Sequence, residues 1–341
     1  MRHWLGLADE SPVELAKLVE TALRIKSGAD RDTQRILHGR VLVMLFFNSS
    51  LRTRTSFEAA MLRAGGHAIC LNVGSDTWNI EYRDGAIMNG AAAEHVREAA
   101  PVLSRYGDLL AVRSFAEMKS PTADAEERVI RAFARHATVP VLNMESAWEH
   151  PCQGLADWLT IREKLGDPRG KRFTLTWAPH IKLLPLAVSH SAVLAAAAAG
   201  MHVTIAHPPG YNLGENILER ARAFCHSAGT NLDLTHDQAA ATRSADIVYA
   251  KSWGAPLLYG DASAQSAEFN RYADWQVRAA HLGQHTRLMH CLPTRRNVEL
   301  ADDALDDPRC IVVDQAENRL WAQTAILCKC VAKQPEQTSV R

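Results

Sequence analysis

The feature that most constrains the fold is a series of short apolar runs separated by segments of helical length. The clearest run, Val41-Leu-Val-Met-Leu-Phe-Phe47, has seven apolar residues in succession. An uninterrupted run of this length is typical of a strand covered on both faces, as in a parallel sheet. Comparable runs occur at 67–73, 108–112, 139–143, 173–177, 202–206, 246–250, 287–290 and 311–314. This alternation predicts an α/β chain with parallel sheets and helices on both faces.

Length and composition favour a folded chain of about two domains. The 341 residues are 47% apolar and 22% charged, which is enough for a core and excludes a disordered protein. The 38 basic residues balance 38 acidic ones, so no positive surplus indicates a nucleic-acid binder. The seven cysteines have irregular spacing, which is typical of reduced thiols. We expect a soluble cytoplasmic protein, because the sequence shows neither a signal-peptide pattern nor an apolar run long enough to span a membrane.

The positions of the predicted elements suggest a domain boundary near residue 150, where His150-Pro151 precedes a helix. Residues 1–150 would form one domain, 151–315 a second, and 316–341 a C-terminal helix that packs back on the first, ending in a frayed tail from residue 334. Ser11-Pro-Val-Glu14 and Thr55-Ser-Phe-Glu58 are both predicted to be helix capping boxes. Gly65-Gly66 is predicted to end the second of these helices.

The sharpest functional signal is the segment 48–58, which follows the first predicted strand directly and opens a helix. A helix N-terminus presents unpaired N–H groups to anions. Hydroxyl groups and guanidinium forks suited to phosphate follow one another here, from Ser50, Arg52, Thr53, Arg54 and Thr55. The segment has no glycine-rich G-K-[ST] sequence, which excludes a nucleotide P-loop. The alternative is an ordinary polar helix start with two surface arginines.

Polar residues also follow other predicted strands of the first half. Arg113 follows the strand at 108–112, and Glu145, His150 and Gln153 follow the strand at 139–143. Ligand crevices in open parallel sheets lie at the carboxyl ends of the strands. These side chains could therefore bind a phosphate and polarise a carbonyl group beside it.

The second half offers three further candidate segments, Lys251-Ser-Trp-Gly254, His290-Cys-Leu-Pro-Thr-Arg-Arg296 and Asp314-Gln-Ala-Glu-Asn-Arg319. Cys291 is a conceivable nucleophile. However, neither a helix N-terminus nor a histidine at fixed spacing indicates a thiolate there, so covalent catalysis is not favoured.

Taken together, these motifs resemble the aspartate/ornithine carbamoyltransferase family over about residues 3 to 332. Ser50-Leu-Arg-Thr-Arg54 is similar to the S-x-R-T-R carbamoyl-phosphate loop of that family, and His150-Pro-Cys-Gln153 to its H-P-x-Q motif. His290-Cys-Leu-Pro293 is similar to the H-C-L-P of ornithine-type members. Details resembling the branch that acts on N-acylated ornithine are Thr176-Trp177, Ala250-Lys-Ser-Trp-Gly254, Trp78 with Glu81, and Ala316-Glu-Asn-Arg319.

The resemblance implies an enzyme that transfers the carbamoyl group of carbamoyl phosphate to the δ-amine of N-acetylornithine in arginine biosynthesis. It implies two doubly wound parallel-sheet domains, with 1–150 binding carbamoyl phosphate, 151–315 binding the acylornithine, and the active site in the cleft between them. It also implies a homotrimer with shared active sites, no metal or organic cofactor, and no nucleic-acid or membrane partner. N-succinylornithine, ornithine and a catalytically inactive carbamoyl-phosphate-binding homologue remain alternatives. A Rossmann dehydrogenase is disfavoured because no G-x-G-x-x-G follows a predicted strand.

The resemblance also assigns roles to individual residues. Those implied to bind carbamoyl phosphate are Ser50, Leu51 (through its backbone), Arg52, Thr53, Trp78 from a neighbouring subunit, Arg113, His150, Gln153, Leu292 and Arg319. The catalytic set implied is Arg52, Thr53, Arg113, His150 and Cys291. The acylornithine would meet Glu145, Lys251, Cys291, Leu292 and the loop at Ala93.

Three positions depart from the pattern of the branch. Ala93 replaces a glutamate that bears on the acyl group, which would make room for a longer acidic chain such as succinyl. Pro185 stands where an asparagine would contact the substrate. Glu299 stands where the branch often has a lysine that can become carboxylated, so we expect a fixed carboxylate and no modified lysine.

Overall fold

The computed structural model describes residues 3–29 and 35–332, and the predicted frayed tail lies outside them. The strands are β1 (Val41–Phe46), β2 (His67–Asn72), β3 (Asn79–Glu81), β4 (Ala92–His95), β5 (Leu109–Arg113), β6 (Val141–Glu145), β7 (Arg172–Trp177), β8 (His202–Ala206), β9 (Leu232–Thr235), β10 (Ile247–Lys251) and β11 (Arg287–Met289). The α-helices are α1 (Pro12–Lys26), α2 (Leu51–Arg63), α3 (Val96–Tyr106), α4 (Pro121–Ala125), α5 (Arg128–His136), α6 (Pro151–Leu165), α7 (Ala187–Ala198), α8 (Glu215–Ala228), α9 (Gln238–Arg243), α10 (Ala262–Arg271), α11 (Asp302–Leu305) and α12 (Val312–Val331).

Two parallel sheets organise the described chain. The first has the strand order β2-β1-β5-β6, and the second has the order β11-β10-β7-β8-β9. Trp4 extends the first sheet by bridging to Leu142 in β6, while β3 and β4 form a separate parallel pair. The predicted α/β architecture, with parallel sheets in two regions, is therefore confirmed.

The apolar runs predicted eight of the nine strands of the two sheets, but one predicted run is not a strand and three strands of the described chain were omitted. The run at 311–314 is not a strand, because α12 begins at Val312. A run of three β-branched residues, Ile311 to Val313, does not distinguish a strand from the first turn of a buried helix. The omitted strands are β3, β4 and β9, whose residues are half-buried or exposed and so carry no continuous apolar signal.

The helix-start predictions were right in one case and wrong in the other. The hydroxyl oxygen of Ser11 accepts a hydrogen bond from the N–H of Glu14 at 3.2 Å, so Ser11 caps α1. The capping box at Thr55 is wrong, because α2 begins one turn earlier with Ser50 as its N-cap. Thr55 lies inside the helix and donates to the backbone carbonyl four residues before it. Gly65, with a φ of 84°, follows the end of α2 as predicted.

Two helices connect the regions around the two sheets. Residues 151–161 of α6 are all buried, and this helix packs against α7 of the second region and α12. Helix α12 also packs along α1 and α2. Its buried side includes Gln315, Asn318 and Arg319, which donate hydrogen bonds to Asp157, Thr160 and Gln153 of α6. None of the described helices is both long enough and apolar enough to cross a membrane.

Candidate active site

A cavity of about 230 Å³ lies between the two sheets, beside the carboxyl ends of β1, β5, β6 and β10. It brings together most of the residues singled out from the sequence, namely Ser50, Arg52, Thr53, Arg113, Glu145, His150, Gln153, Lys251, Cys291, Leu292 and Arg319. Pro185, one of the three departures, lines it as well, as does His180. Sequence reasoning missed Phe115, Leu184 and Val188, whose apolar side chains gave no signal, and it assigned no role to Pro293 of the H-C-L-P motif.

Three of the residues to which the resemblance assigns roles do not line this cavity, and neither do Arg54, which pairs with Glu58, and Thr55 of the predicted phosphate-binding segment. The Leu51 side chain is 79% exposed at the start of α2, where a contact through its backbone was expected. Trp78 is 59% exposed, and its indole N–H donates to the carboxylate of Glu94 at 2.7 Å. Ala93 is exposed in β4, the partner of β3, which begins directly after Trp78. The expected role of Trp78 in a neighbouring subunit remains a prediction.

Thr53 forms the polar centre of the first wall. Ser50 caps α2 by accepting the N–H of Thr53 at 3.1 Å. The hydroxyl oxygen of Thr53 accepts from Nη1 of Arg113 and from Nη2 of Arg319, each at 2.7 Å. Both lone pairs of this oxygen are therefore engaged by guanidinium groups. Its own O–H remains able to donate to an anion or a carbonyl oxygen in the cavity.

Arg113 is also tied to a buried carboxyl group. Its Nη2 lies 2.9 Å from Oε2 of Glu145, and its guanidinium carbon lies 4.6 Å from the centre of the Phe115 ring. Burial raises the pKa of Glu145, while the charges of Arg113 and Arg319 act in the opposite direction. The pair holds one guanidinium of the cavity in a fixed orientation.

His150 is a buried neutral imidazole. Burial lowers its pKa well below the ordinary value, and the guanidinium charges of Arg319, Arg113 and Arg52 lower it further. Its backbone N–H donates to the hydroxyl of Ser191 at 2.8 Å, while its Nδ1 atom has no hydrogen-bond partner among the described residues. A neutral imidazole donates one N–H, so His150 is suited to hydrogen bonding with a polar ligand rather than to acting as an acid.

Gln153 and Arg319 close the floor of the cavity. Nη1 of Arg319 donates to Oε1 of Gln153 at 3.2 Å, and Nε2 of Gln153 donates to Asp157 at 2.8 Å. Arg319 comes from α12 and Gln153 from α6, so the floor depends on the packing of these two helices.

The opposite wall comes from the second sheet and its loops. Lys251 is buried, and its ammonium group donates to the carbonyl of Ser252 at 2.8 Å. Burial raises the pKa of Cys291 to about 11, so this side chain is a thiol at neutral pH. Cys291 therefore lines the cavity without the properties of an activated nucleophile.

Glu299 lies behind this wall as a fixed carboxylate. It is 1% exposed, its Oε1 lies 3.4 Å from Nε2 of His290, and its Oε2 accepts the N–H of Arg295 at 2.8 Å. Burial opposes its ionisation, but the hydrogen bond from His290 and the nearby charge of Lys251 lower its pKa below the ordinary value. Across residues 3–29 and 35–332, no cluster of three His, Cys, Asp or Glu side chains is arranged to hold a metal ion.

The family of the chain follows from comparison with known proteins. The carbamoyl-P binding domain of aspartate/ornithine carbamoyltransferase matches residues 2–163, and the Asp/Orn binding domain matches residues 186–330. The chain belongs to the aspartate/ornithine carbamoyltransferase family, as its motifs predicted, and is a carbamoyltransferase by class.

The names of two relatives specify the amine on which those relatives act. The N-acetylornithine carbamoyltransferase of Xanthomonas campestris is 41% identical, with 98% of each chain covered. The N-succinylornithine carbamoyltransferase of Bacteroides fragilis is 37% identical, covering 87% of this chain and 89% of that protein.

Solved structures of acetylornithine transcarbamylases are also similar to this chain. An acetylornithine transcarbamylase complexed with acetylcitrulline has a TM-score of 0.93 at 40% identity, over 97% of this chain and 99% of that one. A glutamate-to-alanine variant of N-acetyl-L-ornithine transcarbamylase, complexed with carbamyl phosphate and N-succinyl-L-norvaline, has the same TM-score and identity, over 97% of this chain and 100% of that one.

Proposed function

We propose that the protein is an N-acetylornithine carbamoyltransferase of arginine biosynthesis. It transfers the carbamoyl group of carbamoyl phosphate to the δ-amine of N-acetyl-L-ornithine, giving N-acetylcitrulline and phosphate. The observation that carries this proposal is the convergence of Arg52, Arg113 and Arg319 on one buried cavity at the capped N-terminus of α2. The 41% identical relative, which is named for this activity, supports the choice of amine.

The phosphate group is held at the start of α2. The N-terminal N–H groups of the helix, including that of Leu51, supply donors with a favourable dipole, and Ser50 fixes the first turn. Arg52 and Arg319 add positive charge on either side of the bound dianion. Carbamoyl phosphate is thus bound by its charged end, with the carbamoyl group directed toward the second sheet.

The carbonyl group lies against the donors of Thr53, Arg113 and His150. As the amine attacks, negative charge develops on the carbonyl oxygen, and donors fixed at that position are each worth about 10²–10³ in rate. Because His150 is neutral, it donates its N–H without adding to the positive charge of Arg52, Arg113 and Arg319. Oε1 of Gln153 accepts from the carbamoyl NH2 group, which fixes its rotation.

The amine approaches from the side of Glu145, Lys251, Cys291 and Leu292, which hold the acylated amino acid. An alkylamine has a pKa of about 10, so it loses a proton before it attacks. That first proton goes to solvent. A carbon–nitrogen bond then forms, the carbon–oxygen bond to phosphate breaks, and the departing phosphate takes up the second proton, which the attacking nitrogen loses. Holding both substrates in one cavity supplies much of the remaining acceleration.

The division of the chain follows the same logic. In this proposal residues 1–150 carry the carbamoyl-phosphate site and residues 151–315 the acylornithine site. The C-terminal helix, proposed from the sequence to span 316–341, supplies Arg319 to the first of these sites; the observed helix α12 begins at Val312.

We further propose a homotrimer whose neighbouring subunits complete each site. The exposed Trp78, which immediately precedes β3, and Ala93 in β4 support this, because they do not reach the cavity of their own chain. Trp78→Ala and Arg113→Ala variants should each be inactive alone but regain partial activity when they are unfolded together and refolded. Light scattering should give three times the mass of the chain. No recovery on mixing would contradict shared sites.

The test of the reaction is product formation from carbamoyl phosphate with N-acetylornithine, N-succinylornithine and ornithine in parallel. We expect an N-acetylcitrulline product and stoichiometric phosphate. Product from ornithine alone would contradict the assignment. No product with any amine, while carbamoyl phosphate still binds, would indicate a catalytically inactive homologue.

Ala93 favours one second candidate, N-succinylornithine as the preferred amine. Its small side chain leaves room for a longer acidic acyl group, and a glutamate-to-alanine variant of a relative was crystallised with N-succinyl-L-norvaline. Ala93→Glu should then reduce kcat/KM for the succinylated substrate by at least about tenfold, through repulsion between like charges. An equal effect on both acylated substrates would contradict a role for Ala93 in recognising the acyl group.

A further inference from the structure

We propose that Asp157 is a positioning residue that orients two glutamine amides, one at the carbamoyl side of the cavity and one behind the loop of residues 290–293. The role of the first amide rests on the proposed function. Asp157 does not line the cavity, and the mechanism above makes no use of it.

Asp157 is buried, one helical turn after Gln153 in α6. Its Oδ1 accepts from Nε2 of Gln153 at 2.8 Å and from Nε2 of Gln315, in α12, at 2.7 Å. The phenol ring of Tyr249, from β10, lies close to the same carboxyl group. Burying a carboxyl group is costly even where it is hydrogen-bonded, so the presence of Asp157 at the junction of three elements requires an explanation.

The carboxyl oxygen determines which way each amide points. Oδ1 accepts hydrogen bonds in both protonation states of the group, so both glutamines turn their NH2 groups toward it. Oε1 of Gln153 consequently faces Arg319 and the cavity, where it can accept from an NH2 group. A flipped amide would set its NH2 against the Arg319 guanidinium, with a donor facing a donor.

The second amide acts on the other wall. With its NH2 group directed at Asp157, Gln315 presents Oε1 to the backbone N–H of His290 at 2.9 Å. His290 immediately precedes Cys291 and Leu292, which line the cavity. One buried oxygen atom therefore fixes the acceptor for the carbamoyl NH2 group and anchors the loop beside the amine.

The test compares Asp157→Leu, which removes both carboxyl oxygens, with Asp157→Asn, which keeps one carbonyl oxygen. The matched control is Asn318→Leu, because Nδ2 of Asn318 donates to Thr160 at 3.0 Å in the next buried contact between α12 and α6, farther from the cavity. The readout is the Kd of carbamoyl phosphate relative to that of inorganic phosphate, measured by calorimetry. Inorganic phosphate uses the anion donors but has no NH2 group for Gln153.

We expect Asp157→Leu to raise the Kd of carbamoyl phosphate about tenfold, the usual size for one lost hydrogen bond with reorientation, and that of phosphate less than about twofold. In Asp157→Asn the ratio of the two Kd values should return most of the way to that of wild type. In Asn318→Leu the ratio should not change. Equal weakening of both ligands in Asp157→Leu, or the same ratio change in Asn318→Leu, would show a purely structural role and overturn the proposal.

Gln315→Met provides a second test should Asp157→Leu fail to fold. It should raise KM for the amine while leaving the ratio of the Kd values for carbamoyl phosphate and phosphate unchanged. A change in thermal stability alone would contradict the role proposed for Gln315. Wild-type protein that binds carbamoyl phosphate in preference to phosphate but forms no product would contradict the proposed function and not the inference. Wild-type protein without that preference would overturn both.

Discussion

At the scale of single residues, the cavity is organised by acceptors that orient its cations. The Thr53 hydroxyl accepts from Arg113 and Arg319 together, and Glu145 fixes the second edge of Arg113. Guanidinium groups without such partners would repel one another and remain mobile. Because Arg113 and Arg319 are both hydrogen-bonded, the cavity can present their charge to a phosphate without reorganisation.

Thr53→Val tests this arrangement, since valine keeps the shape of threonine but removes the oxygen. Two buried guanidinium N–H groups lose their acceptor, and the ligand loses a donor. We expect kcat/KM for carbamoyl phosphate to fall about 100-fold, or about 2.7 kcal/mol. Thr55→Val, whose hydroxyl donates only to a backbone carbonyl of its own helix, should change it less than about twofold. Equal effects of the two variants would contradict the role of Thr53.

The thiol of Cys291 offers a second prediction. With a pKa of about 11, little thiolate exists at neutral pH. Alkylation of Cys291 by iodoacetamide, followed by mass spectrometry, should be slow at pH 7.5 and should accelerate about tenfold per pH unit up to that pKa. Cys291→Ala should keep turnover within about tenfold of wild type. Rapid labelling at pH 7 together with complete loss of turnover in the variant would instead establish a nucleophile.

Much of this site could be predicted from the sequence, because its donors follow strand ends in contiguous motifs. Ser50, Arg52, Thr53 and His150 were all found in this way. Asp157 and Phe115 were not, since their importance depends on contacts between helices and loops that are distant in sequence. The neutrality of His150 was also not predictable, because it results from burial and from guanidinium groups on three separate elements.

At the scale of elements, apolar runs predicted the buried strands correctly, whereas a strand at the edge of a sheet was missed. β1 and β5 are fully or nearly fully buried, and their continuous apolar runs identified them as strands. β9 lies at the edge of its sheet, with two of its four residues exposed, so its sequence does not differ from that of a loop. The start of α12 was misread because Ile311 and Val312 are buried for reasons of tertiary packing, which local sequence does not record.

The two serine N-caps allow an element-level prediction with an internal control. Ser50 caps α2 and Ser11 caps α1 through similar bonds, of 3.1 and 3.2 Å. Replacing either serine by alanine should lower the free energy of unfolding by about 1 kcal/mol in urea titrations. Only Ser50→Ala should also raise KM for carbamoyl phosphate, since only α2 points at the cavity. A change in KM for Ser11→Ala as well would mean that helix stability, and not the local cap, controls binding.

At the scale of the whole molecule, the cavity depends on chain segments that are far apart in sequence. Arg319 reaches Thr53 across 266 positions, and the N-terminal segment reaches the residue before His150 across 142 positions. In the second case, Oε2 of Glu149 accepts the N–H of Leu7 at 2.7 Å. The same carboxyl group fills the space beside Gly6, where a Cβ atom would lie 2.4 Å from Oε1 of Glu149.

This carboxyl group makes global stability depend on pH. Burial, together with the charge of Glu127, raises the pKa of Glu149 to about 8, and Asp9 acts in the same direction. In the unfolded chain the pKa of a glutamate is about 4.3. Between these values the folded state binds more protons than the unfolded state, so this group's contribution to stability falls as pH rises and is lost above the folded pKa.

Glu149→Gln isolates this contribution, because a glutamine stays neutral and its carbonyl oxygen can still accept from Leu7. Relative to wild type, the variant should gain free energy of unfolding as pH rises from 5.5 to 8.5, by about 2–4 kcal/mol in urea titrations. Glu219→Gln, at an exposed position of α8, serves as the control and should show no such gain. A difference between Glu149→Gln and wild type that stays constant across this range would mean that Glu149 is already ionised in the folded protein, and that the interior around Leu7 is more polar than its burial indicates.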